Sequence, residues 1–190
     1  MKIGLVLSGG GARGIAHLGV IQALEELGVR FSMLSGTSAV AVIGALYCYG
    51  YKPQEIFQKF QQLSLYKSVR FSWRMSGLFS LDGLKNILQE GIPENSFSAL
   101  PKPLFIAATD LKAGVARYFS EGNLSDAVMA SCCVPGIFSP VVIDGDKFVD
   151  GGIIDNLPVK PIRNFCDFVI ASNCNPIGTD FNSGSFRTVI

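Results

Sequence analysis

Apolar positions along the chain fall into short continuous runs separated by segments with helical spacing. Residues 2–8 form a near-continuous apolar run, which is typical of a strand in a parallel sheet that is covered on both faces. Residues 15–27 place apolar side chains at helical spacing and end at Gly28, and residues 29–34 predict a second short strand. A strand, a glycine loop, a helix and a second strand form a βαβ unit, so the pattern predicts an α/β fold.

The remaining pattern predicts further helices and strands. We expect helices over 39–50, from Pro53 onward, over 81–90 and over 124–132. We expect a buried strand over 104–109, a returning strand over 115–120, a hairpin over 141–149 and a last strand over 167–173. The sequence therefore predicts one domain over residues 1–175, followed by a turn-rich, loose tail over residues 176–190.

Composition and charge narrow the range of partners. The net charge is +1, from 16 basic and 15 acidic residues, which gives no argument for nucleic acid or for a strongly anionic partner. Charged residues make up 16% of the chain, below the roughly 25% of ordinary soluble domains. This deficit, together with fourteen Phe residues, predicts either a large core or an apolar surface that meets lipid or another partner.

Cysteine usage and the length of the apolar runs bear on the compartment. The five cysteines form no Cys-x-x-Cys motif, which indicates reduced, mostly buried thiols in a cytosolic protein rather than a disulfide framework or a zinc site. The apolar run at residues 3–7 is too short for a signal peptide. The longest near-apolar run, residues 39–51, is shorter than the ~20 residues of a membrane span. We therefore expect a cytoplasmic location.

A serine between a predicted strand and a predicted apolar helix is the first candidate for chemistry. Ser38 follows Gly36 and Thr37 and precedes the apolar run that begins at Ala39, which is the setting of a nucleophile elbow. A hydroxyl at the start of a helix lies at the positive end of the helix dipole, where developing negative charge is stabilised. The same position also suits a plain helix N-cap. The elbow pattern Gly-x-Ser-x-Gly is incomplete, because its last glycine is Val40.

The glycine-rich segment after the first strand has two interpretations. Gly9, Gly11 and Gly14 fit the Gly-x-Gly-x-x-Gly pattern of a dinucleotide site. That site uses an acidic residue at the end of the second strand, and residues 29–34 contain none. Arg13 would favour a phosphate and keeps a nucleotide interpretation open. The free amides at the start of the helix suit an oxyanion equally well.

A nucleophilic serine needs a base, and the chain offers few candidates. The one histidine, His17, lies inside the first predicted helix, so we expect it to serve packing or hydrogen bonding. Asp150 ends a predicted strand and is followed by two glycines, which permit close backbone approach. An Asx-turn is the alternative role for Asp150, and the stronger interpretation for Asp110, Asp144 and Asp146 at predicted turns.

Taken together, these segments resemble the patatin-like phospholipases. The glycine-rich oxyanion motif of that family is similar to residues 9–14, and its nucleophile elbow is similar to residues 36–39. Its catalytic aspartate block is similar to residues 150–152 with Asn156 and Pro158. A recurring family segment matches Ala130, Ser131, Pro135, Phe138 and Pro140. The resemblance runs from about Lys2 to about Asn173, with the motifs in family order.

The resemblance implies a three-layer α/β/α fold with a mostly parallel central sheet, and a serine acyl hydrolase that acts on lipid esters. It implies that Ser38 attacks the ester carbonyl and that Asp150 takes the proton, without a metal or a cofactor. It also implies an oxyanion hole formed by the amides of Gly10, Gly11 and Ala12. The supporting residues implied by the same likeness are Gly9, Arg13, Gly14, Gly36, Gly151 and Gly152.

Two departures from the family pattern keep other functions open. Val40 replaces the second elbow glycine, and we expect it to strain the turn, so that Val40→Gly preserves or raises activity. Family members also usually continue beyond the position of Ile190, so we expect a truncated chain or a naturally short member. A catalytically weak lipid-binding or scaffold protein and an acyltransferase are therefore the alternatives to a hydrolase.

The segment over residues 67–79 mixes aromatic and basic side chains without a clear period. Its aromatic residues include Phe71, Trp73 and Phe79, and its basic residues are Lys67, Arg70 and Arg74. Such a mixture suits the interface of an anionic membrane, so we expect peripheral membrane contact here. A lid over the site or a partner interface is the alternative. The sequence carries no signal for an oligomeric state.

Overall fold

The computed structural model of the chain describes residues 1–68 and 81–175, with side chains for residues 1–62 and 81–175. The side chains of the segment predicted to contact a membrane, 67–79, lie outside this part of the chain, as does the tail predicted over 176–190. Both therefore stay predictions from the sequence.

The hydrophobic pattern locates the helices and strands well. Within the described residues the strands are β1 (Ile3–Leu7), β2 (Phe31–Thr37), β3 (Leu104–Asp110), β4 (Val115–Phe119), β5 (Val141–Ile143), β6 (Asp146–Asp150) and β7 (Phe168–Ser172). The α-helices there are α1 (Ala16–Glu26), α2 (Val40–Tyr49), α3 (Pro53–Ser68), α4 (Leu81–Gly91), α5 (Leu124–Cys132) and α6 (Lys160–Arg163). Short 3-10 helices span Gly11–Ile15, Phe97–Ala99 and Gly151–Ile153. Strand β2 extends beyond its predicted end to Thr37, so that it ends directly before Ser38, and the short helix α6 was not predicted.

The strands form one mixed sheet in the order β5-β6-β3-β2-β1-β7, with β4 also paired to β3. Strands β7, β1, β2 and β3 run parallel to one another, whereas β4 and β6 run antiparallel to β3. Strand β5 is antiparallel to β6 and so shares the direction of β3. The predicted α/β fold with a mostly parallel sheet is therefore confirmed.

Two strand ends meet along one edge of β3. Strand β4 pairs with Ile106–Asp110 and so fills one edge of β3 over that length. On the other edge, the pairing of β2 with β3 ends at Thr37 opposite Ala107, and the pairing of β6 with β3 ends at Asp150 opposite Ala108. Because neighbouring positions on a strand are only ~3.3 Å apart, the carboxyl ends of β2 and β6 point at each other. Ser38 directly follows β2 and Asp150 is the last residue of β6, so these two residues are brought together.

Helices cover both faces of this sheet. Leu5 and Leu7 of β1 point to one face, where they share a core with residues of α1 to α5. Gly4 points to the other face, where an added Cβ would meet Ile162 of α6 and Cys166 within 3 Å. The predicted three-layer α/β/α arrangement is confirmed.

Helix α2 fixes the start of the turn that carries Ser38. Nine of its ten residues are buried, as expected for a helix that is apolar on all sides. Because every side of α2 packs against protein, its first turn has little freedom to move. The chain must therefore pass from β2 to α2 through residues 38 and 39 alone.

Candidate active site

Ser38 lies in a sharp turn between β2 and α2, as the elbow pattern predicts. Its φ angle is 60°, in the left-handed region that a residue with a side chain rarely adopts, at a typical cost of ~1–3 kcal/mol. Its N–H donates to Ser131 Oγ at 2.7 Å. Ser131 is fully buried and donates in turn to the carbonyl oxygen of Ala107 at 2.6 Å. The strained turn is thus tied to β3 through one hydroxyl.

The hydroxyl of Ser38 donates a 2.6 Å hydrogen bond to Asp150 Oδ2. The other oxygen of Asp150, Oδ1, accepts from the N–H of Gly152 at 2.7 Å. Burial raises the pKa of Asp150 above its usual value, and the hydrogen bonds from Ser38 and Gly152 oppose this rise. A carboxylate with a raised pKa is a stronger base than an ordinary surface aspartate.

Both glycines after Asp150 permit close approaches. An added Cβ at Gly151 would collide with the carbonyl of Ala107 in β3. An added Cβ at Gly152 would lie 2.9 Å from Asp150 Oδ1 and 2.8 Å from Asn156 Oδ1. The Asp-Gly-Gly sequence therefore lets the chain turn against β3 while one carboxylate oxygen remains directed at Ser38.

The glycine loop after β1 borders Ser38. An added Cβ at Gly9 would lie 3.3 Å from Ser38 Cβ, and Gly11 has a φ of 54° at the start of the 3-10 helix. Within the described part of the chain, the N–H groups of Gly10, Gly11 and Ala12 donate to no protein atom. Such unpaired amides at a helix start can hold an anion.

Val40, which we expected to strain the turn, packs beside the glycine loop. Val40 is the first helical residue of α2 and is fully buried, whereas the positive φ belongs to Ser38. An added Cβ at Gly14 would collide with Val40 Cγ2, so the valine side chain fills the space that Gly14 leaves open. At Gly36, an added Cβ would meet Ala41 Cα at an ordinary 3.8 Å. Gly14 on the neighbouring loop thus makes room for the Val40 side chain, and whether Val40→Gly changes activity stays a prediction.

His17 takes no part in this arrangement. Its Nε2 donates to the carbonyl oxygen of Ser8 at 3.1 Å, and its Nδ1 accepts from Ser172 Oγ at 2.8 Å. The ring is buried, and burial lowers its pKa. Both ring nitrogens are thus occupied between α1, β1 and β7, which confirms the hydrogen-bonding role. Asp110 likewise makes the expected turn, since its Oδ1 accepts from the N–H groups of Lys112 and Ala113.

Other observations bear on metal binding, redox state and membrane crossing. All five cysteines are free, and only Cys174 is partly exposed. Among the described residues, no group of three or more His, Cys, Asp or Glu side chains could hold a metal ion. No helix within residues 1–68 and 81–175 is long and apolar enough to cross a membrane.

The structure adds residues whose roles the sequence did not indicate. Ser131 and Asn156 belong to segments noted for their resemblance to the family, but nothing in the sequence pairs Ser131 with the Ser38 amide. Asn175 carried no signal, although its side chain contacts the glycine loop. Ile153 and Ile154, directly after the two glycines in the sequence, are about half exposed.

Comparisons with known proteins point to one family. A family model described as Patatin-like phospholipase matches residues 5–162. An uncharacterized NTE family protein of Mycobacterium tuberculosis is 33% identical over 177 residues, covering 92% of this chain and 49% of that protein. Lysophospholipase NTE1 of Candida glabrata is 31% identical over 193 residues, covering 98% of this chain and 11% of that protein. The chain thus spans about half the length, or less, of these curated relatives.

Solved structures agree with the fold. VipD from Legionella pneumophila superimposes with a TM-score of 0.56 at 21% identity, covering 83% of this chain and 47% of that chain. The type III effector protein ExoU gives a TM-score of 0.53 at 21% identity, covering 75% of this chain and 43% of that chain. At this level of identity, the likeness concerns the fold.

Proposed function

Because the chain belongs to the patatin-like phospholipase family, we propose that it hydrolyses lipid acyl esters with Ser38 as nucleophile and Asp150 as base. The observation that carries this proposal is the 2.6 Å hydrogen bond from Ser38 Oγ to Asp150 Oδ2. A nucleophilic hydroxyl within hydrogen-bond reach of a base is the arrangement that covalent catalysis requires. His17 is occupied elsewhere, so the proposed unit is a dyad.

In the proposed first step, Ser38 Oγ attacks the ester carbonyl carbon while its proton passes to Asp150 Oδ2. The resulting tetrahedral intermediate collapses, and the leaving alcohol takes the proton from Asp150. A water molecule then attacks the acyl-enzyme, gives its proton to Asp150 and releases the carboxylic acid as Ser38 recovers its hydrogen. The raised pKa of Asp150 supports this shuttling, because its carboxylate holds a proton more readily than an ordinary aspartate does.

The amides of Gly10, Gly11 and Ala12 are the proposed oxyanion donors. Two observations support this role. These amides donate to no protein acceptor within the described residues, and Gly9 lies beside Ser38. Donors aimed at the developing charge are worth about 10²–10³ in kcat each. In this role the glycine loop serves an oxyanion and not a dinucleotide.

The proposed substrate class is the acyl ester of a lipid, as in a phospholipase or lysophospholipase. The names lysophospholipase NTE1 and neuropathy target esterase, borne by relatives, support an ester substrate. Ile153 and Ile154, three and four positions after Asp150 in the sequence and about half exposed, support an apolar one, since sites for apolar ligands are lined mainly by apolar side chains. Peripheral membrane contact through residues 67–79 accompanies this proposal as a prediction from the sequence.

Two other functions were open at the level of the sequence. In the sequence, Val40 favoured a catalytically weak scaffold. In the structure, Val40 occupies the space beside Gly14 and the hydrogen bond between Ser38 and Asp150 is formed. An acyltransferase would use the same residues with an acceptor alcohol in place of water. Product analysis with and without added acceptor alcohol distinguishes it from a hydrolase.

A fluorophosphonate probe followed by mass spectrometry of the modified peptide tests the proposal. We expect label on Ser38, and loss of both labelling and ester hydrolysis in Ser38→Ala and in Asp150→Asn. The double variant should be no worse than either single one, because groups that act as a unit are not additive.

Matched controls exist on the same strands. Ser35→Ala in β2 removes a buried hydroxyl that has no hydrogen-bond partner among the described residues. Asp146→Asn lies at the other end of β6 from Asp150. Both should retain labelling. Label on another serine, or full hydrolysis by Ser38→Ala, would contradict the proposal.

A further inference from the structure

Two residues of the segment that follows β7, Cys174 and Asn175, lie against the glycine loop. Asn175 Nδ2 donates to the carbonyl oxygen of Gly9 at 2.7 Å, and Asn175 Oδ1 accepts from Arg13 Nη2 at 3.0 Å. The N–H of Cys174 donates to Ser8 Oγ at 3.1 Å. One amide side chain thus bridges the two ends of the segment that contains the unpaired N–H groups.

The Gly9 carbonyl matters because of the planarity of the peptide bond. In a trans peptide the C=O of one residue and the N–H of the next point in opposite directions. The orientation of the Gly9 carbonyl therefore sets the orientation of the Gly10 N–H, the first of the proposed oxyanion donors. A rotation of this peptide plane would turn the donor away from its acceptor without any change at Ser38 or Asp150.

The loop does not hold this orientation by itself. Three consecutive glycines have more conformational freedom to lose than any other residues, and Gly10 and Gly11 are partly exposed. Asn156 supplies a second tie, but its Nδ2 lies 3.3 Å from the Gly9 oxygen, further than the 2.7 Å of Asn175. An added Cβ at Gly10 would collide with Cys174 Sγ, so the segment at 174–175 is packed directly on the loop.

We propose that Asn175 is a positioning residue, whose side-chain amide fixes the Gly9–Gly10 peptide and thereby aims the oxyanion donors. This inference rests on the proposed function, because it assigns a role to the same amides. Asn175 lies beyond the residues that the family model matches, 5–162. The residue acts through the loop and does not itself contact the reacting atoms.

The sharpest test is Asn175→Asp, which is nearly isosteric. A carboxylate keeps an acceptor for Arg13 but replaces the donor to Gly9 with an oxygen, which repels the carbonyl oxygen. Asn175→Ala removes both contacts and tests the same role without an added charge. Asn173→Asp is the matched control: it adds the same charge two residues away, and it keeps the oxygen that accepts from the N–H and from the side-chain Nδ2 of Asn175.

The measurement is pre-steady-state hydrolysis of a soluble p-nitrophenyl ester, with fluorophosphonate labelling in parallel. Fluorophosphonate labelling taken to completion counts the reactive sites, so the acylation rate is obtained per site and is independent of any loss of folded protein. We expect the per-site rate to fall about 10- to 100-fold in Asn175→Asp and Asn175→Ala, less than the ~10²–10³ of a deleted donor. The loss should lie in kcat with KM nearly unchanged, because oxyanion donors act in the transition state. Asn173→Asp should match the wild type.

Several outcomes would overturn the inference. Wild-type per-site rates in both Asn175 variants would remove the role outright. Fewer labelled sites with an unchanged per-site rate would show a purely structural residue, and an equal loss in Asn173→Asp would assign the effect to charge. In each of these cases, wild-type labelling on Ser38 leaves the proposed function intact. Absence of Ser38 labelling in the wild type would instead refute the proposed function, and the positioning role with it.

Discussion

The contact between Val40 and Gly14 yields a double-mutant prediction about how the elbow and the glycine loop are held together. Val40 is fully buried, and its Cγ2 occupies the position that a Cβ at Gly14 would need. Val40→Ala removes two buried methyl groups, a loss of about 1.6 kcal/mol at ~0.8 kcal/mol each, before any cavity cost. Gly14→Ala over-packs the same place at a cost of about 1–3 kcal/mol.

The double variant should recover much of this loss. In Gly14→Ala/Val40→Ala, the new methyl group at position 14 enters the space vacated by the valine. We expect the free energy of unfolding to exceed the additive value by about 1–2 kcal/mol, within the range of side chains in contact. Activity should follow the same order, because the amides of the proposed oxyanion hole lie on the loop that Gly14 ends. Val40→Gly is accordingly expected to lower stability, and not to raise activity as the elbow pattern alone suggested.

Urea denaturation of the four proteins measures the unfolding free energies, and labelling on Ser38 gives the per-site rates. Gly19→Ala is the control for helix propensity, because an added Cβ at Gly19 in α1 meets nothing within 4 Å. Additivity of the two substitutions to within ~0.5 kcal/mol would refute the reasoning. So would a Gly14→Ala variant with wild-type stability and wild-type labelling.

Two further predictions concern the groups around Ser38. Ser131→Ala leaves the Ser38 N–H without its acceptor. It should lower the free energy of unfolding by about 1–3 kcal/mol and slow the labelling of Ser38. A wild-type labelling rate would show that Ser131 does not hold the turn. Asp150→Asn should abolish labelling yet unfold at a higher temperature than the wild type at neutral pH, because burial penalises the charged carboxylate and raises its pKa. Because the pKa of Asp150 is higher in the folded protein than in the unfolded chain, the folded protein binds more protons. The contribution of Asp150 to the free energy of unfolding therefore declines as the pH rises from the usual aspartate pKa through the raised pKa. Melting curves of both proteins across this range check the sign, and a parallel pH dependence in Asp150→Asn would contradict it.

The sequence alone determined the local structure and most of the candidate chemistry. Apolar runs and helical spacing are properties of neighbouring residues, so they located the strands, most of the helices and the hairpin at Asp144 and Gly145. The setting of Ser38 between a strand and an apolar helix is local in the same sense. The Asp-Gly-Gly sequence is also a local signal, because paired glycines permit sharp turns and close backbone approach.

Tertiary structure decided which of these pieces act together. Ser38 and Asp150 are 112 positions apart and meet because β2 and β6 end head to head on one edge of β3. Gly14 and Val40 are complementary only because the loop and α2 are packed in contact, and Asn175 reaches Gly9 only because β7 pairs with β1. Such pairings follow from sheet order and register, which depend on long-range packing and leave no periodic trace in the sequence.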